Sequence, residues 1–277
     1  MSRRLFCEIS PFAYAVSVKK LRMTRYVKNV FDKEKYAGEK AGKLPHLVFK
    51  FNSRMRRTLW DIDAAQQENK VVNLSIAAPE TNGTLIKPGE VFSFWRLIGN
   101  CSKHKGYREG PHIALGSFTK AAGGGICQLA SLIHWLVLHS PLDVIEHYHH
   151  DNLDLYPDGD RPMPIGCGAT IVYNYKDYRF KNNTESTFQI ISYADETHLC
   201  GELRTSNPQR YDYRVSEEDV HFVNINGSYY KKYKIARRMI DQKTGNELEN
   251  KIIAETNAKV MYDERFIDKN LIRQQIQ

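Results

Sequence analysis

Apolar residues are spaced as in an α-helix along a stretch in the middle of the chain. Between residues 126 and 137 they recur at intervals of three and four positions, at Ile126, Leu129, Ala130, Ile133, Leu136 and Val137. This spacing places them on one face of a helix that we predict from about residue 127 to residue 139. Pro141 is expected to end it, because the residue before a proline avoids helical backbone.

Stretches rich in β-branched and aromatic residues alternate with turn signals around this helix. Asn82-Gly83 and Pro88-Gly89 are typical turn pairs. A further helix is predicted over residues 61–78, with Asp61 or Asp63 as its cap. Residues 98–118 are glycine-rich and are predicted to form a loop. We expect strands at residues 84–86, 91–95, 142–150, 169–175, 178–181, 187–194 and 198–204.

The last seventy residues carry the pattern of an antiparallel meander. Asn226-Gly227 is a strong hairpin signal, and residues 243–246 form a second turn. We therefore predict an α+β fold in three parts. These are a helical N-terminal arm (residues 1–60), a core domain whose mixed sheet carries the cysteine-headed helix (residues 61–206), and a β-hairpin and meander region (residues 207–277).

Positive charge is concentrated in the arm. Residues 1–60 hold 15 of the 40 Lys and Arg residues but only four of the 32 acidic ones. Such a segment suits an anionic membrane surface, an RNA or an acidic partner, or is simply a solvated helix. The sequence shows neither a secretory signal nor an apolar stretch of membrane-spanning length. We expect a cytoplasmic protein, peripheral to the inner face of the membrane through residues 1–60, with no nucleic-acid partner.

The five cysteines do not form a known framework. Their number is odd and no two are closer than 26 residues, which fits neither a set of disulfides nor a zinc site. The glycine run at residues 123–125 lacks the residues of a phosphate-binding loop and the spacing of a dinucleotide fingerprint. No cofactor is therefore expected.

Cys127 is the residue to which the sequence points as a centre of chemistry. It follows Gly123, Gly124 and Gly125, and it stands at the predicted start of a helix, whose positive end stabilises a thiolate. The glycines permit close approach of a substrate to the main chain. The N–H groups of Cys127 and Gln128 have no partner inside the helix and could form an oxyanion hole, while the Gln128 side chain could hold a substrate carbonyl.

A general base is the missing element, and residues 146–151 supply candidates. In a strand, Glu146 and His150 face one side, whereas His147, His149 and Asp151 face the other. Either His149 or His150 could meet Cys127, because the chain is expected to reverse direction near Pro141. Two other interpretations stay open. In one, the glycines serve only a tight helix entry beside an inert, packed cysteine; in the other, His147 and His149 bind a metal ion with Cys127 or Asp151 as the third ligand.

A set of sequence blocks is formed by residues 82–84, 88–94, 106–107 and 123–128, together with Glu146 and His150. These blocks together resemble the VanW family, and the resemblance covers residues 65–205. It implies a setting of bacterial envelope, peptidoglycan and glycopeptide resistance rather than a defined reaction. Cys127, Gln128, Glu146 and His150 match residues of the family pattern. The family's Gly-x-Asp-Ala-Thr block reads Gly-Cys-Gly-Ala-Thr here, so Gly168 replaces an acid that could orient a histidine.

The leading hypothesis is a VanW-like, cysteine-dependent acyl-transfer enzyme acting on cell-wall peptides, as an amide hydrolase or a transpeptidase. Cys127 is its nucleophile and His150 or His149 its base. Glu146, or else Asp151 or Asp154, takes the place of the missing acid. Gly123, Gly124, Gly125 and Gln128 are its substrate-binding residues. The alternatives are a non-catalytic accessory protein that binds a peptide or another envelope component, and a metal-binding protein.

Overall fold

The computed structural model describes residues 9–56, 63–114, 117–149, 153–154, 157 and 163–273. Four α-helices lie in this part of the chain: α1 (Pro11–Val30), α2 (Ala64–Thr81), α3 (Phe94–Ile98) and α4 (Cys127–Leu138). Its strands are β1 (His46–Arg54), β2 (Thr84–Ile86), β3 (Val91–Ser93), β4 (Glu109–Ala114), β5 (Ser117–Ala122), β6 (Asp143–Glu146), β7 (Leu153–Asp154), β8 (Arg179–Lys181), β9 (Phe188–Ala194), β10 (His198–Thr205), β11 (Tyr211–Ile225), β12 (Ser228–Asp241), β13 (Glu247–Val260) and β14 (Ile272–Arg273).

The architecture is α+β, as predicted, and its sheets are mostly antiparallel. A four-stranded sheet has the order β1-β10-β9-β2, and a five-stranded sheet has the order β14-β11-β12-β13-β7. A three-stranded sheet, β3-β8-β6, and the hairpin β4-β5 complete the described strands. Only the two-residue pairings β11–β14 and β13–β7 are parallel among them.

Helix α4 lies at the centre of the main hydrophobic core. Leu129, Leu132, Ile133 and Leu136 are fully buried, and the helix packs against α2, β1 and β10. Burying a side chain of this size stabilises the fold by roughly 1.5–3 kcal/mol. The helix predicted from the spacing of apolar residues is therefore confirmed, and it anchors the element that carries Cys127.

Most of the predicted elements are present. The Asp63 carboxylate accepts a hydrogen bond from the Ala65 N–H at 2.9 Å and caps α2, whereas Asp61 lies outside the described residues. The strands predicted at residues 84–86, 178–181, 187–194 and 198–204 correspond to β2, β8, β9 and β10. In the C-terminal meander, Asn226 and Gly227 both have positive φ and form the turn between β11 and β12.

Several predicted elements differ from the structure. The strand predicted at residues 142–150 is shorter, because β6 ends at Glu146 and residues 147–149 have no regular secondary structure. Residues 98–118 contain most of the hairpin β4-β5 rather than only a loop. Residues 169–175 form a turn, closed by a single bridge between Val172 and Lys176, rather than a strand. The strand predicted to reach Trp95 stops at Ser93, because the Ser93 hydroxyl caps the short helix α3.

The basic arm is only partly helical. Its first half forms α1, but residues 46–54 form β1, which pairs with β10 at the edge of the four-stranded sheet. Phe49 and Phe51 alternate along β1 and pack against the core below α4. This period-two pattern explains why a strand forms where a helix was expected. The division of the chain into three domains stays a prediction.

Candidate functional site

Cys127 lies on the wall of a cleft of about 400 Å³. The cleft forms where the end of hairpin β4-β5, the glycine run before α4 and the segment at residues 171–173 meet. It brings together residues that are far apart in the sequence. Those used below are Arg22, Trp95, Cys101, His112, Cys127 and Tyr173.

The glycine run is fixed tightly in this wall. A Cβ atom at Gly124 would lie within 3.0 Å of the Gly110 carbonyl oxygen, a separation that real Cβ atoms essentially never show. The buried Asn73 side chain donates hydrogen bonds to the Gly124 carbonyl at 2.9 Å and to the Arg108 carbonyl at 3.0 Å. Gly123 and Gly125 both have positive φ. Packing within the wall therefore accounts for the glycines, and a role for them in ligand binding stays a prediction.

The Cys127 thiol is half-buried and lacks the partners of an activated nucleophile. Burial raises its pKa above the ordinary value, while hydrogen bonds from the Ile171 and Cys127 backbone N–H groups oppose that shift. Among the described residues, no hydrogen bond joins its sulfur to an imidazole. We therefore expect a protonated thiol at neutral pH. Cys101 shares the cleft, and burial raises its pKa to about 11.

Gln128 connects the start of α4 to the end of β1. Its side-chain amide donates hydrogen bonds to the Ser53 hydroxyl at 2.8 Å and to the Arg54 carbonyl at 3.0 Å. Its backbone N–H donates to the Gly125 carbonyl at 3.1 Å. Both groups that were candidates for holding a substrate oxygen thus have partners within the protein.

His147 and His149 lie in a cluster with His134 of α4, which we call the three-histidine cluster. The His147 ring stacks on the His134 ring with centroids 3.8 Å apart and meets the His149 ring edge-on at 4.2 Å. His147 Nε2 lies 2.8 Å from the Gly168 carbonyl oxygen, to which it donates a hydrogen bond as a neutral Nε2–H tautomer. Burial lowers the pKa of His147 to about 4, and burial also holds the pKa of His134 well below its usual range.

The structure describes only some of the residues that were predicted as the base or as metal ligands. His150 and Asp151 lie outside the described residues, and His149 has a buried Nδ1 without a hydrogen-bond partner. Within the described ranges, no group of three His, Cys, Asp or Glu side chains has an arrangement that could hold a metal ion. The roles of His149 and His150 as bases stay predictions.

The Glu146 carboxylate is hydrogen-bonded to neighbouring residues of the protein. It accepts two hydrogen bonds from the Arg25 guanidinium at 2.8 and 2.7 Å and one from the Asp177 N–H at 3.1 Å. The neighbouring Arg179 lies 3.6 Å away. These contacts hold α1 against the body of the protein. The same hydrogen bonds use both oxygens of the Glu146 carboxylate, which was expected to replace the missing acid. That role of Glu146 stays a prediction.

An aromatic wall of the cleft was not predicted from the sequence. The Trp95 and Tyr173 rings meet edge-to-face with centroids 5.4 Å apart, and the Trp95 indole N–H donates to the Lys176 carbonyl at 2.8 Å. Arg22 of α1 and His112 of β4 reach the same cleft. No local spacing marks these residues as a group, because four separate segments of the chain bring them together.

Comparison with known proteins gives two relatives. A family model described as VanW like protein matches residues 69–204. The chain is 31% identical over 265 residues to the vancomycin B-type resistance protein VanW of Enterococcus faecalis, covering 95% of both chains. It is 32% identical over 110 residues to an uncharacterized protein, YoaR, of Bacillus subtilis, covering 40% of this chain and 34% of the relative.

The search of solved structures found no match. No helix in the described part of the chain is both long and apolar enough to cross a membrane. The match to the VanW protein extends over nearly the whole length of both chains. On this evidence the chain belongs to the VanW family.

Proposed function

We propose that this protein is a non-catalytic accessory protein of glycopeptide resistance, which holds a cell-wall peptide in the cleft beside Cys127. The observation that carries the proposal is the setting of the thiol. Burial raises its pKa, and it forms no hydrogen bond with an imidazole of the described residues. A cleft with an aromatic wall and a protonated thiol is suited to binding rather than to nucleophilic attack.

The chemistry of the walls suggests which end of a peptide is held. Trp95 and Tyr173 offer flat apolar surfaces, and Arg22 contributes an exposed guanidinium at the rim. Guanidinium groups bind carboxylates through paired hydrogen bonds. The proposed ligand is therefore a short peptide with a free carboxylate near an apolar side chain. The relative named as a vancomycin B-type resistance protein supports a cell-wall source for it.

Binding is tested by titrating the full chain with a synthetic cell-wall stem peptide that has a free C-terminal carboxylate. We expect Trp95→Ala to weaken binding roughly tenfold or more, because large aromatic side chains dominate small binding sites. Arg22→Gln should weaken it as well, whereas Lys28→Gln on the same helix is the matched control and should not. Cys127→Ala should bind as tightly as the unmodified protein.

The outcomes of this titration distinguish a cleft that binds a peptide from one that converts it. Saturable binding that Cys127→Ala retains and Trp95→Ala loses supports the proposal. Absence of binding, or equal affinity in all variants, contradicts it. Mass spectrometry of the peptide after incubation must show it unchanged, since a shortened or cross-linked product would mean that the protein is an enzyme.

Cysteine-dependent acyl transfer is the second candidate, and one observation favours it. The backbone N–H groups of Ile171 and Cys127 act to lower the pKa of the thiol, against the effect of burial, and would stabilise a thiolate. In this reaction the base, His150 or His149, takes the proton of the Cys127 thiol, and the thiolate attacks a peptide carbonyl. The C–N bond breaks, and the amine leaves with the proton that the base returns. Water then hydrolyses the thioester. A covalent adduct on Cys127 that is absent in Cys127→Ser would establish it.

A further inference from the structure

Helix α1 has one face fixed to the body of the protein. Arg25 forms the paired hydrogen bonds with Glu146, and Asn29 accepts a hydrogen bond from Arg179 at 2.9 Å. These contacts along the helix set its rotation about its own axis and so determine which residues point away.

The opposite face of α1 is an apolar stripe that we call the α1 stripe. At 3.6 residues per turn, its members fall within a narrow arc of the helix surface. Their exposed fractions are 77% for Phe12, 41% for Val16, 60% for Met23, 47% for Val27 and 62% for Val30. Monomeric proteins rarely leave such a contiguous row of apolar side chains in water without a function for it.

Lysines border the α1 stripe, and the helix has no acidic residue. Lys19, Lys20 and Lys28 line a shallow groove together with Val16, Met23 and Val27. Helix α1 contains five basic residues in all and neither Asp nor Glu. An exposed apolar row with basic residues along its sides is the pattern of a helix that lies in the interface of a membrane with anionic lipids.

From this charge complementarity we propose that the α1 stripe docks on an anionic lipid surface. The apolar side chains enter the boundary between headgroups and acyl chains, while the lysines contact lipid phosphates and carboxylates. An RNA would use the lysines but leave Phe12 and Met23 in water. A second copy docked stripe to stripe would bring lysines of like charge together.

The proposal also orients the protein on the membrane. Because α1 lies flat against the body, its axis would be parallel to the membrane surface. Arg22, on the same helix, lines the cleft beside Cys127. The cleft would therefore open close to the lipid surface, although membrane docking does not depend on what the cleft binds.

The test is co-sedimentation of the full chain with two sets of vesicles. One set is phosphatidylcholine alone, and the other contains phosphatidylserine at about one lipid in four. We expect binding only to the anionic vesicles, with roughly fivefold weaker binding for each lysine removed from the surface. Lys19→Glu with Lys20→Glu should abolish binding, as should Met23→Glu with Val27→Glu.

A matched control variant makes the same change of two lysines to glutamates on a part of the surface outside helix α1. Lys243→Glu with Lys251→Glu changes two exposed lysines, one in the turn between β12 and β13 and one in β13, and should leave vesicle binding unchanged. Melting curves identify any variant that fails to fold, and the Phe12→Trp variant gives an independent reading through a blue shift of its emission with anionic vesicles. Any one of four results would overturn the proposal. These are equal binding to both vesicle sets, an equal loss of binding in the control variant, binding to RNA but not to vesicles, and a dimer that the double variant Met23→Glu with Val27→Glu dissociates.

Discussion

Gly124→Ala is expected to destabilise the protein by about 3 kcal/mol or more, at the upper end of what overpacking usually costs. The added Cβ would lie within 3.0 Å of the carbonyl oxygen and 2.8 Å from the Cα atom of Gly110, which is backbone and has no rotamer to move away. The wall can open only if the hairpin shifts away from the glycine run. That shift would also break the hydrogen bonds from Asn73 to the Gly124 and Arg108 carbonyls.

Urea unfolding measures this effect, with Gly38→Ala as the control. A Cβ at Gly38 would meet no atom within 4 Å, and neither glycine has positive φ. The pair therefore isolates the cost of the close approach from the change in chain entropy, which alone would stabilise the protein slightly. Equal stability of the two variants would show that the wall is not packed as described. The result also matters for function, because lost activity in a Gly124 variant would report unfolding rather than lost ligand binding.

Acidification is expected to destabilise the protein through the three-histidine cluster. Burial and the neighbouring His149 lower the pKa of His147 to about 4, against an ordinary value of 6.5 in the unfolded chain. The unfolded state therefore binds a proton that the folded state does not. The stability contributed by the neutral imidazole is complete above about pH 6.5 and is lost as the pH falls toward about 4, which amounts to roughly 3 kcal/mol.

His147→Gln separates this contribution from that of the acidic residues. Glutamine keeps an N–H group that can donate to the Gly168 carbonyl but does not titrate. The free energy of unfolding should fall less steeply between about pH 7 and about pH 4.5 in His147→Gln than in the unmodified protein. His104→Gln, at an exposed turn, is the control and should follow the unmodified protein. Identical pH profiles for all three proteins would mean that His147 is accessible to protons in the folded state.

The sequence was sufficient for elements whose signals are local. Helix α4 follows from the spacing of its apolar residues, and the turn between β11 and β12 follows from Asn226-Gly227. Helix α2 was predicted near its true position, because Asp63 is a cap that can be recognised from sequence. These elements depend on residues within a few positions of one another.

The site could be predicted only in part, because its partners are distant in the chain. Cys127 was identified from its own motif, but the Ser53 hydroxyl that binds Gln128 is 75 residues away. Arg25, which binds Glu146, is 121 residues away. Trp95 and Tyr173 meet through folding of the chain between them. Motif residues that were expected to contact a substrate therefore prove to have partners within the protein, which spacing alone does not reveal.

The central claim is that Cys127 is a protonated thiol in a binding cleft. The rate at which the Cys127 sulfur is alkylated tests this claim most directly. The full chain is treated with iodoacetamide from about pH 5 to about pH 10, and mass spectrometry follows the peptide that contains Cys127, with glutathione as the free-thiol reference. We predict slow labelling whose rate is still rising at about pH 9, because burial raises the pKa of Cys127. Rapid labelling that is already constant below about pH 7 would reveal a stabilised thiolate and contradict the account.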